Sequence, residues 1–225
     1  VLVRDVHRLK KMTQAQFPDV PYILLGHSMG SFITRNYLCR YGTGISAAVI
    51  MGTGMQPKAV LTAAKALTAL QRVIFGPEHV SRLIDRLAFG SYNKRIDKPR
   101  TSFDWLSGEP ERVDAYIADP QCGFVFTVNG FETLFELISR LHKPENLKGI
   151  PAQLPVLMLS GTADPVGNYG KDVQSAFASL KDAGLKNVTL KLFEGGRHEL
   201  LNETNRDEIM QYIYRWLEEI VIKEV

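Results

Sequence analysis

The chain has 225 residues, 45% of them hydrophobic and 23% charged, which is the composition of an ordinary globular protein. Its net charge of +3 is small and its basic residues are scattered, so we expect no nucleic-acid partner. Two cysteines, Cys39 and Cys122, are too few for a disulfide framework or a metal cluster. No apolar run reaches the length of a membrane span. We therefore expect a protein of a reducing, cytoplasmic compartment without a metal site.

The chain opens inside a helical pattern, with Val3, Val6 and Leu9 on one face. It begins with Val1 rather than Met, and a complete domain seldom starts in this way. We therefore expect that the early strands of the fold, with any signal peptide, precede the first residue.

An apolar run over 20–25 then stops at Gly26, and the sequence Gly-His-Ser-Met-Gly follows it before a helical pattern up to Tyr41. This strand, G-x-S-x-G and helix predict a nucleophile elbow with Ser28 at its tip. The turn must be sharp to expose the serine hydroxyl. We expect side chains at Gly26 and Gly30 to collide with the neighbouring strand and helix, so that glycine is required at both positions.

A second buried strand is predicted at 45–51, and the pattern then changes. Between residues 54 and 150 there are helical patterns and loops but no clear central strand, which predicts a helical insertion. Prolines suit a first helical turn, so helices are predicted from Pro57 and from Pro77. The predicted helices of this insertion cover about 57–75, 77–87, 109–117 and 131–141.

The alternation of strands and helices resumes with a strand at 156–160, a helix at 168–182, a strand at 188–193 and an amphipathic helix at 205–222. Continuous apolar strands separated by helices predict an α/β fold with a mostly parallel sheet and helices on both faces. We divide the chain into a first part of the core (1–53), a helical cap (54–150) and a second part of the core (151–225).

A serine nucleophile needs a base, and the base needs a carboxylate that fixes its tautomer. Asp164 follows the strand at 156–160, and His198 follows the strand at 188–193. Loops at the carboxyl ends of parallel strands meet at one edge of the sheet. The order serine, acid, histidine therefore predicts Ser28 as the nucleophile, His198 as the base and Asp164 as its partner.

Each of these residues also has an ordinary structural interpretation. Asp164 alone would be read as a turn residue that caps a neighbouring amide, and His198 alone as a surface histidine. His27, beside the nucleophile, is interpreted as a packing or hydrogen-bonding residue rather than the base. Glu194 and Glu199 are alternative carboxylates, which we interpret as solvated.

The oxyanion of an acyl transfer needs at least two hydrogen-bond donors. The backbone N–H of Met29, directly after the nucleophile, is predicted to be one of them. The other normally comes from a loop upstream of the elbow, often with a His-Gly pair, and this sequence contains no such segment.

The predicted cap is rich in aromatic residues, which suits the binding of a long acyl chain. We take Phe103, Trp105 and Phe126, together with His27, as candidate substrate contacts, and we expect the cap to touch membrane surfaces or micelles transiently. The alternative is that the aromatic residues form the core of the cap itself. They are Phe89, Tyr92, Phe103, Trp105, Tyr116, Phe124, Phe126, Phe131 and Phe135.

With these motifs the chain resembles the lysophospholipase and monoacylglycerol lipase branch of the α/β-hydrolases. The resemblance rests on Gly-His-Ser-Met-Gly at 26–30, Asp-Pro-Val at 164–166 and Arg-His-Glu at 197–199. It implies a serine hydrolase that cleaves acyl esters such as monoacylglycerols or lysophospholipids without a cofactor. The branch also contains proline-directed aminopeptidases and acyltransferases. The chain differs from the branch in lacking the first strands and the upstream oxyanion loop.

Two further alternatives follow. Carboxylates lining the cap would favour a peptidase, whereas the acidic residues here are spread along helices. A catalytically incomplete module or fragment is the alternative outside enzymes, and its uncovered sheet edge would promote self-association, measurable as a concentration-dependent mass.

Overall fold

The structure, a computed structural model, describes residues 1–222, so the last three residues of the predicted second core part lie outside the described residues. Four parallel strands form one sheet in the order β1-β2-β3-β4. The predicted parallel pairing is therefore confirmed. The strands are β1 (Ile23–His27), β2 (Ala47–Met51), β3 (Val156–Gly161) and β4 (Val188–Phe193).

Helices surround this sheet and also fill the segment between β2 and β3. Before β2 and after β3 they are α1 (Leu2–Gln16), α2 (Met29–Tyr41), α8 (Lys171–Asp182) and α9 (Arg206–Leu217), with a π-helical turn at Glu218–Ile222. Between β2 and β3 they are α3 (Lys58–Phe75), α4 (Arg82–Phe89), α5 (Pro110–Ala118), α6 (Val128–Leu141) and α7 (Pro144–Leu147).

The sheet has a hydrophobic core on each face, because side chains alternate along a strand. On β2, Ala48 and Ile50 belong to the core that includes α2, α6 and α8. Val49 and Met51 belong to the other core, where Trp216 of α9 packs. Strands β2 and β3 are buried at every position, which explains their uninterrupted apolar sequence.

Three predicted helix starts are wrong, and local geometry explains each of them. The helix predicted from residue 131 begins at Val128, where the hydroxyl of Thr127 accepts a hydrogen bond from the Gly130 amide. The helix predicted from Pro77 begins only at Arg82, where the hydroxyl of Ser81 accepts a hydrogen bond from the Ile84 amide and caps the first turn. The helix predicted from residue 168 begins at Lys171, because Asn168 and Tyr169 have positive φ angles of 49° and 56°. The short helix α7 was not predicted.

Candidate active site

Ser28 lies in a sharp turn between β1 and α2. Its φ is 53° and its ψ is −122°, a backbone conformation that residues other than glycine rarely adopt. The Ser28 amide donates to the carbonyl oxygen of Met51 at 3.0 Å, which fixes the turn against the end of β2. This geometry is that of the predicted elbow, and Ser28 lines a cavity beneath the helical segment.

The two glycines of the elbow differ in what surrounds them. A Cβ atom at Gly26 would overlap the Thr34 hydroxyl and the Gly30 carbonyl, so the predicted need for glycine is confirmed there. At Gly30 an added Cβ would meet nothing within 4 Å, so the prediction of a collision is wrong at that position. Gly30 lies in the first turn of α2 on a side that leaves room for a methyl group.

Asp164 and His198 are brought together beyond the ends of β3 and β4. Nδ1 of His198 lies 3.1 Å from both carboxylate oxygens of Asp164, and both side chains are almost completely buried. The carboxylate also accepts the Val166 amide at 2.9 Å and the Ser160 hydroxyl at 3.4 Å. A proton on Nδ1 satisfies this contact and leaves Nε2 as the nitrogen that can act as a base.

Nε2 of His198 is buried and has no hydrogen-bond partner among the described residues. It therefore makes no hydrogen bond with the Ser28 hydroxyl in this structure. An unpaired buried nitrogen lowers the free energy of unfolding. A hydrogen bond between Nε2 and a substrate or a nucleophile would restore that free energy. The His198 ring lies close to the carboxyl ends of β1 and β2. A Cβ atom added at Gly52, directly after β2, would lie 2.9 Å from Cε1 of His198 and 3.2 Å from Cδ2 of His27 at the end of β1. The His198 and His27 ring centroids are 4.6 Å apart.

His27 contacts the base loop rather than the cavity. Its Nε2 donates to the carbonyl oxygen of His198 at 3.0 Å, and His27 is absent from the residues that line the cavity. Burial, followed by the neighbouring charge of His198, lowers the pKa of His27 to about 4. The ring is therefore neutral near pH 7 and connects the elbow to the loop that carries His198.

Met29 begins α2 directly after Ser28. The first amides of an α-helix have no acceptor within the helix, so the Met29 N–H is free to bind an oxygen atom near Ser28. The Met29 side chain lines the same cavity as the serine.

The cavity beneath the helical segment has a volume of about 700 Å³ and a mainly apolar lining. The predicted substrate contacts Phe103, Trp105 and Phe126 all line it, and the Trp105 ring centroid lies 5.1 Å from that of His198. Phe131 is buried in the core instead. A larger cavity of about 1140 Å³ lies at the opposite edge of the sheet, and none of the predicted site residues lines it.

Part of the cavity wall was not predicted. Helix α3 contributes Val60, Leu61 and Leu67 to the lining. The sequence could not show this, because an amphipathic helix has the same pattern when its apolar face packs on a core. Two polar residues, Gln56 and Asp85, also line the cavity. Among the described residues Asp85 is the only charged one in the lining, and burial raises the pKa of this carboxyl group.

Comparison with known protein families gives a match over most of the chain. The model of the family described as "Serine aminopeptidase, S33" matches residues 1–205. The chain belongs to this family.

Two curated relatives of this chain are named as a monoglyceride lipase and a monoacylglycerol lipase. The chain is 26% identical to the monoglyceride lipase of Mus musculus over 206 residues, which are 90% of this chain and 59% of that protein. It is 26% identical to the monoacylglycerol lipase of Mycolicibacterium smegmatis over 215 residues, 96% of this chain and 68% of that protein. The chain thus spans about three fifths of the length of the mouse relative.

The chain is also similar to solved structures in its three-dimensional fold. A thermostable carboxyl esterase from Bacillus coagulans, in complex with glycerol, has a TM-score of 0.89 and 29% identity, covering 97% of this chain and 71% of that one. An open-form lipase has a TM-score of 0.86 and 23% identity, covering 98% and 72%, and shows the fold alone. The predicted α/β-hydrolase fold is confirmed.

Residues 1–222 contain neither a candidate metal site nor a candidate membrane-spanning helix. Among these residues no group of three or more His, Cys, Asp or Glu side chains could hold a metal ion. Within the same part of the chain no helix combines the length and apolar character that crossing a membrane requires.

Proposed function

We propose that this chain carries the catalytic residues of a serine esterase that cleaves acyl lipid esters, with monoacylglycerols and lysophospholipids as its substrate class. Ser28 is the nucleophile, His198 the base and Asp164 the residue that orients it. The observation that carries this proposal is the cavity of about 700 Å³ that joins Ser28 to an apolar, aromatic wall. A long acyl chain can fill such a cavity while its ester carbonyl reaches the serine.

In the proposed reaction, Nε2 of His198 takes the proton of Ser28 as Oγ attacks the ester carbonyl carbon. The negative charge that develops on the carbonyl oxygen is bound by the Met29 amide. The protonated Nε2 then gives its proton to the leaving alcohol, and an acyl group stays on Ser28. The same nitrogen takes a proton from water as the water attacks the acyl carbon; it then gives this proton to Oγ of Ser28 as the bond to the acyl group breaks and the fatty acid is released. Asp164 stabilises the imidazolium at both stages.

The relatives support the substrate class. The mouse and mycobacterial relatives are named as lipases of monoglycerides, and the Bacillus coagulans esterase was solved with glycerol. We propose the same class of ester for this chain, in a protein that contains it.

Covalent labelling with a fluorophosphonate probe tests the nucleophile, with Ser28→Ala as the matched control. We expect labelling of the wild-type chain only, together with hydrolysis of monoacylglycerols of medium and long chain length. A folded wild-type protein that neither labels nor hydrolyses any ester would contradict the proposal. It would instead support the alternative of a catalytically incomplete module.

A serine aminopeptidase is the second candidate function, because the family model carries that description. Asp85 is the cavity residue that could pair with a free amino terminus, and within residues 1–222 it is the only acidic one in the lining. We therefore expect proline p-nitroanilide to be hydrolysed far more slowly than monoacylglycerol. The opposite preference, abolished by Asp85→Asn, would favour the peptidase; transfer of the acyl group to an added alcohol would indicate an acyltransferase.

We also propose that the helical segment 54–150 is a cap that meets lipid surfaces through α3 and α4. Val73 and Leu87 are 85% and 66% exposed, and Leu87 also lines the cavity, so the apolar surface borders the substrate site. Co-sedimentation with neutral phospholipid vesicles tests this. We expect Val73→Glu to weaken binding, whereas Met12→Glu, at another exposed apolar position on α1, leaves it unchanged.

We also propose that two copies of the chain associate through the open edge of the sheet at β1. Within the described residues β1 pairs only with β2, and Ile23 and Leu25 are exposed there. Light scattering over a range of protein concentrations tests it, and a constant monomer mass would contradict it.

A further inference from the structure

A short strip of the helical segment, residues 104–108, packs directly on the loop that carries His198. The Glu199 amide donates to the Leu106 carbonyl at 2.7 Å, and the His198 amide to the Trp105 carbonyl at 3.4 Å. The backbone of the base is therefore hydrogen-bonded to the helical segment. We call residues 104–108 the cap strip.

Glu203 fastens the cap strip to the base loop. Its carboxylate accepts the Arg197 amide at 2.7 Å and the Gly108 amide at 3.0 and 3.1 Å to its two oxygens. The 3-10 turn Leu200–Asn202 brings the side chain back under the loop, where it is only 4% exposed. A buried carboxylate that accepts backbone N–H groups from two segments holds both segments in place.

Arg197 makes a second connection between the same segments. Its Nη1 donates to the carbonyl oxygens of Asp104 at 2.6 Å and Ser107 at 2.8 Å. The Ser107 hydroxyl donates to the Asn202 carbonyl at 2.8 Å. His198 thus follows directly after a residue whose amide and side chain are both bound to this cluster.

We propose that Glu203 is a positioning residue for His198, and that it aligns the base with Ser28 by holding the base loop against the cap strip. This inference rests on the proposed function, since it concerns the same histidine. The contacts with Asp164 fix one edge of the His198 imidazole ring. The backbone of the loop that carries His198 is held by Arg197, Glu203 and the cap strip. A small displacement of a catalytic group costs much of the rate even when substrate binding is unchanged.

Glu203→Gln is the sharpest variant, because glutamine has the same shape but only one acceptor oxygen. The amide nitrogen that replaces the other oxygen would face a backbone N–H. Glu203→Ala removes both acceptors. Glu194→Gln is the matched control, since Glu194 is an exposed carboxylate in the same loop.

Steady-state hydrolysis of a monoacylglycerol and thermal unfolding are measured on all four proteins. We expect Glu203→Gln to lower kcat about 10-fold and Glu203→Ala about 100-fold, with KM changed less than about 3-fold. Glu194→Gln should behave as wild type. A Glu203 variant that is folded at the assay temperature and keeps the control's kcat would overturn the inference. The inference would also be overturned if the loss of kcat in the Glu203 variants disappeared once the rate was calculated per folded molecule.

Nuclear magnetic resonance of the histidine Nδ1 proton tests the positioning without any substrate. We expect the His198 Nδ1–H signal, shifted downfield by its bond to Asp164, to move or broaden in Glu203→Gln but not in Glu194→Gln. An unchanged signal would overturn the positioning role. Absence of ester hydrolysis by the wild-type protein would instead count against the proposed function, so the two failures can be told apart.

Discussion

The two sides of the site are held in place by different physical means. On the polar side, Asp164 and His198 are buried and each is fixed by directional hydrogen bonds from neighbouring loops. On the apolar side, the cavity wall of α3, α4 and the aromatic residues is held by packing, and it contains few polar atoms. Loss of one hydrogen bond on the polar side leaves a buried charge or nitrogen unpaired, whereas loss of one methylene on the apolar side enlarges the cavity and removes packing contacts without leaving a polar group unpaired.

The elbow belongs to the polar side, and it adds steric requirements to the hydrogen bonds. Ser28 adopts a positive φ, and Gly26 has no room for a side chain. Substitutions on the polar side should therefore act on the rate constant or the fold, and those on the apolar side on the choice of substrate.

The largest effect is expected from Asp164→Asn, which keeps the shape of the acid but removes its charge. The amide can present its NH₂ to His198 and select the wrong tautomer, so we expect kcat for ester hydrolysis to fall about 10⁴-fold. Asp182→Asn, at an exposed position on α8, is the control. A loss below about tenfold would show that Asp164 does not orient the base.

Acidification should weaken the fold through His27. Its folded-state pKa of about 4 lies below the usual 6.5, so the unfolded chain binds the proton first as the pH falls. Stability should therefore decrease between pH 6.5 and pH 4, by up to about 3 kcal/mol. Urea unfolding at several pH values measures this, and His27→Gln should show a shallower decrease. Equal slopes for the two proteins would contradict the prediction.

The pair Gly26→Ala and Gly30→Ala separates the steric requirement from the motif. Alanine at position 26 overlaps backbone and side-chain atoms, and we expect it to lower the free energy of unfolding by about 2 kcal/mol. Alanine at position 30 has open space within a helix and should change it by less than about 1 kcal/mol. Chemical denaturation compares them, and equal destabilisation would refute the difference between the two glycines.

The smallest effect is expected on the apolar side. Phe126→Ala enlarges the cavity, so we expect the preference among acyl chain lengths to shift by about tenfold in kcat/KM toward longer or branched chains. Phe17→Ala, at an exposed position directly after α1 and outside the cavity lining, is the control. A panel of monoacylglycerols measures the shift, and an unchanged preference would show that Phe126 does not contact the acyl chain.

Much of the fold followed from the sequence because its signals are local. The apolar run before Gly26 and the helical pattern after it placed the elbow, and positions directly after two strands indicated Asp164 and His198. The helix predicted from Pro77 failed because the capping hydroxyl of Ser81, four residues later, decides where α4 begins. Proline is compatible with a first turn but does not require one.

The sequence by itself determined the parallel sheet and the residues that follow its strands, because buried parallel strands are uniformly apolar and their carboxyl ends share one edge. Only the tertiary structure decided which surfaces face one another. The open space at Gly30, the aliphatic wall on α3 and the attachment of Glu203 to Gly108 all depend on contacts between distant segments. No local pattern records such contacts, since the same amphipathic helix or buried acid can serve many different neighbours.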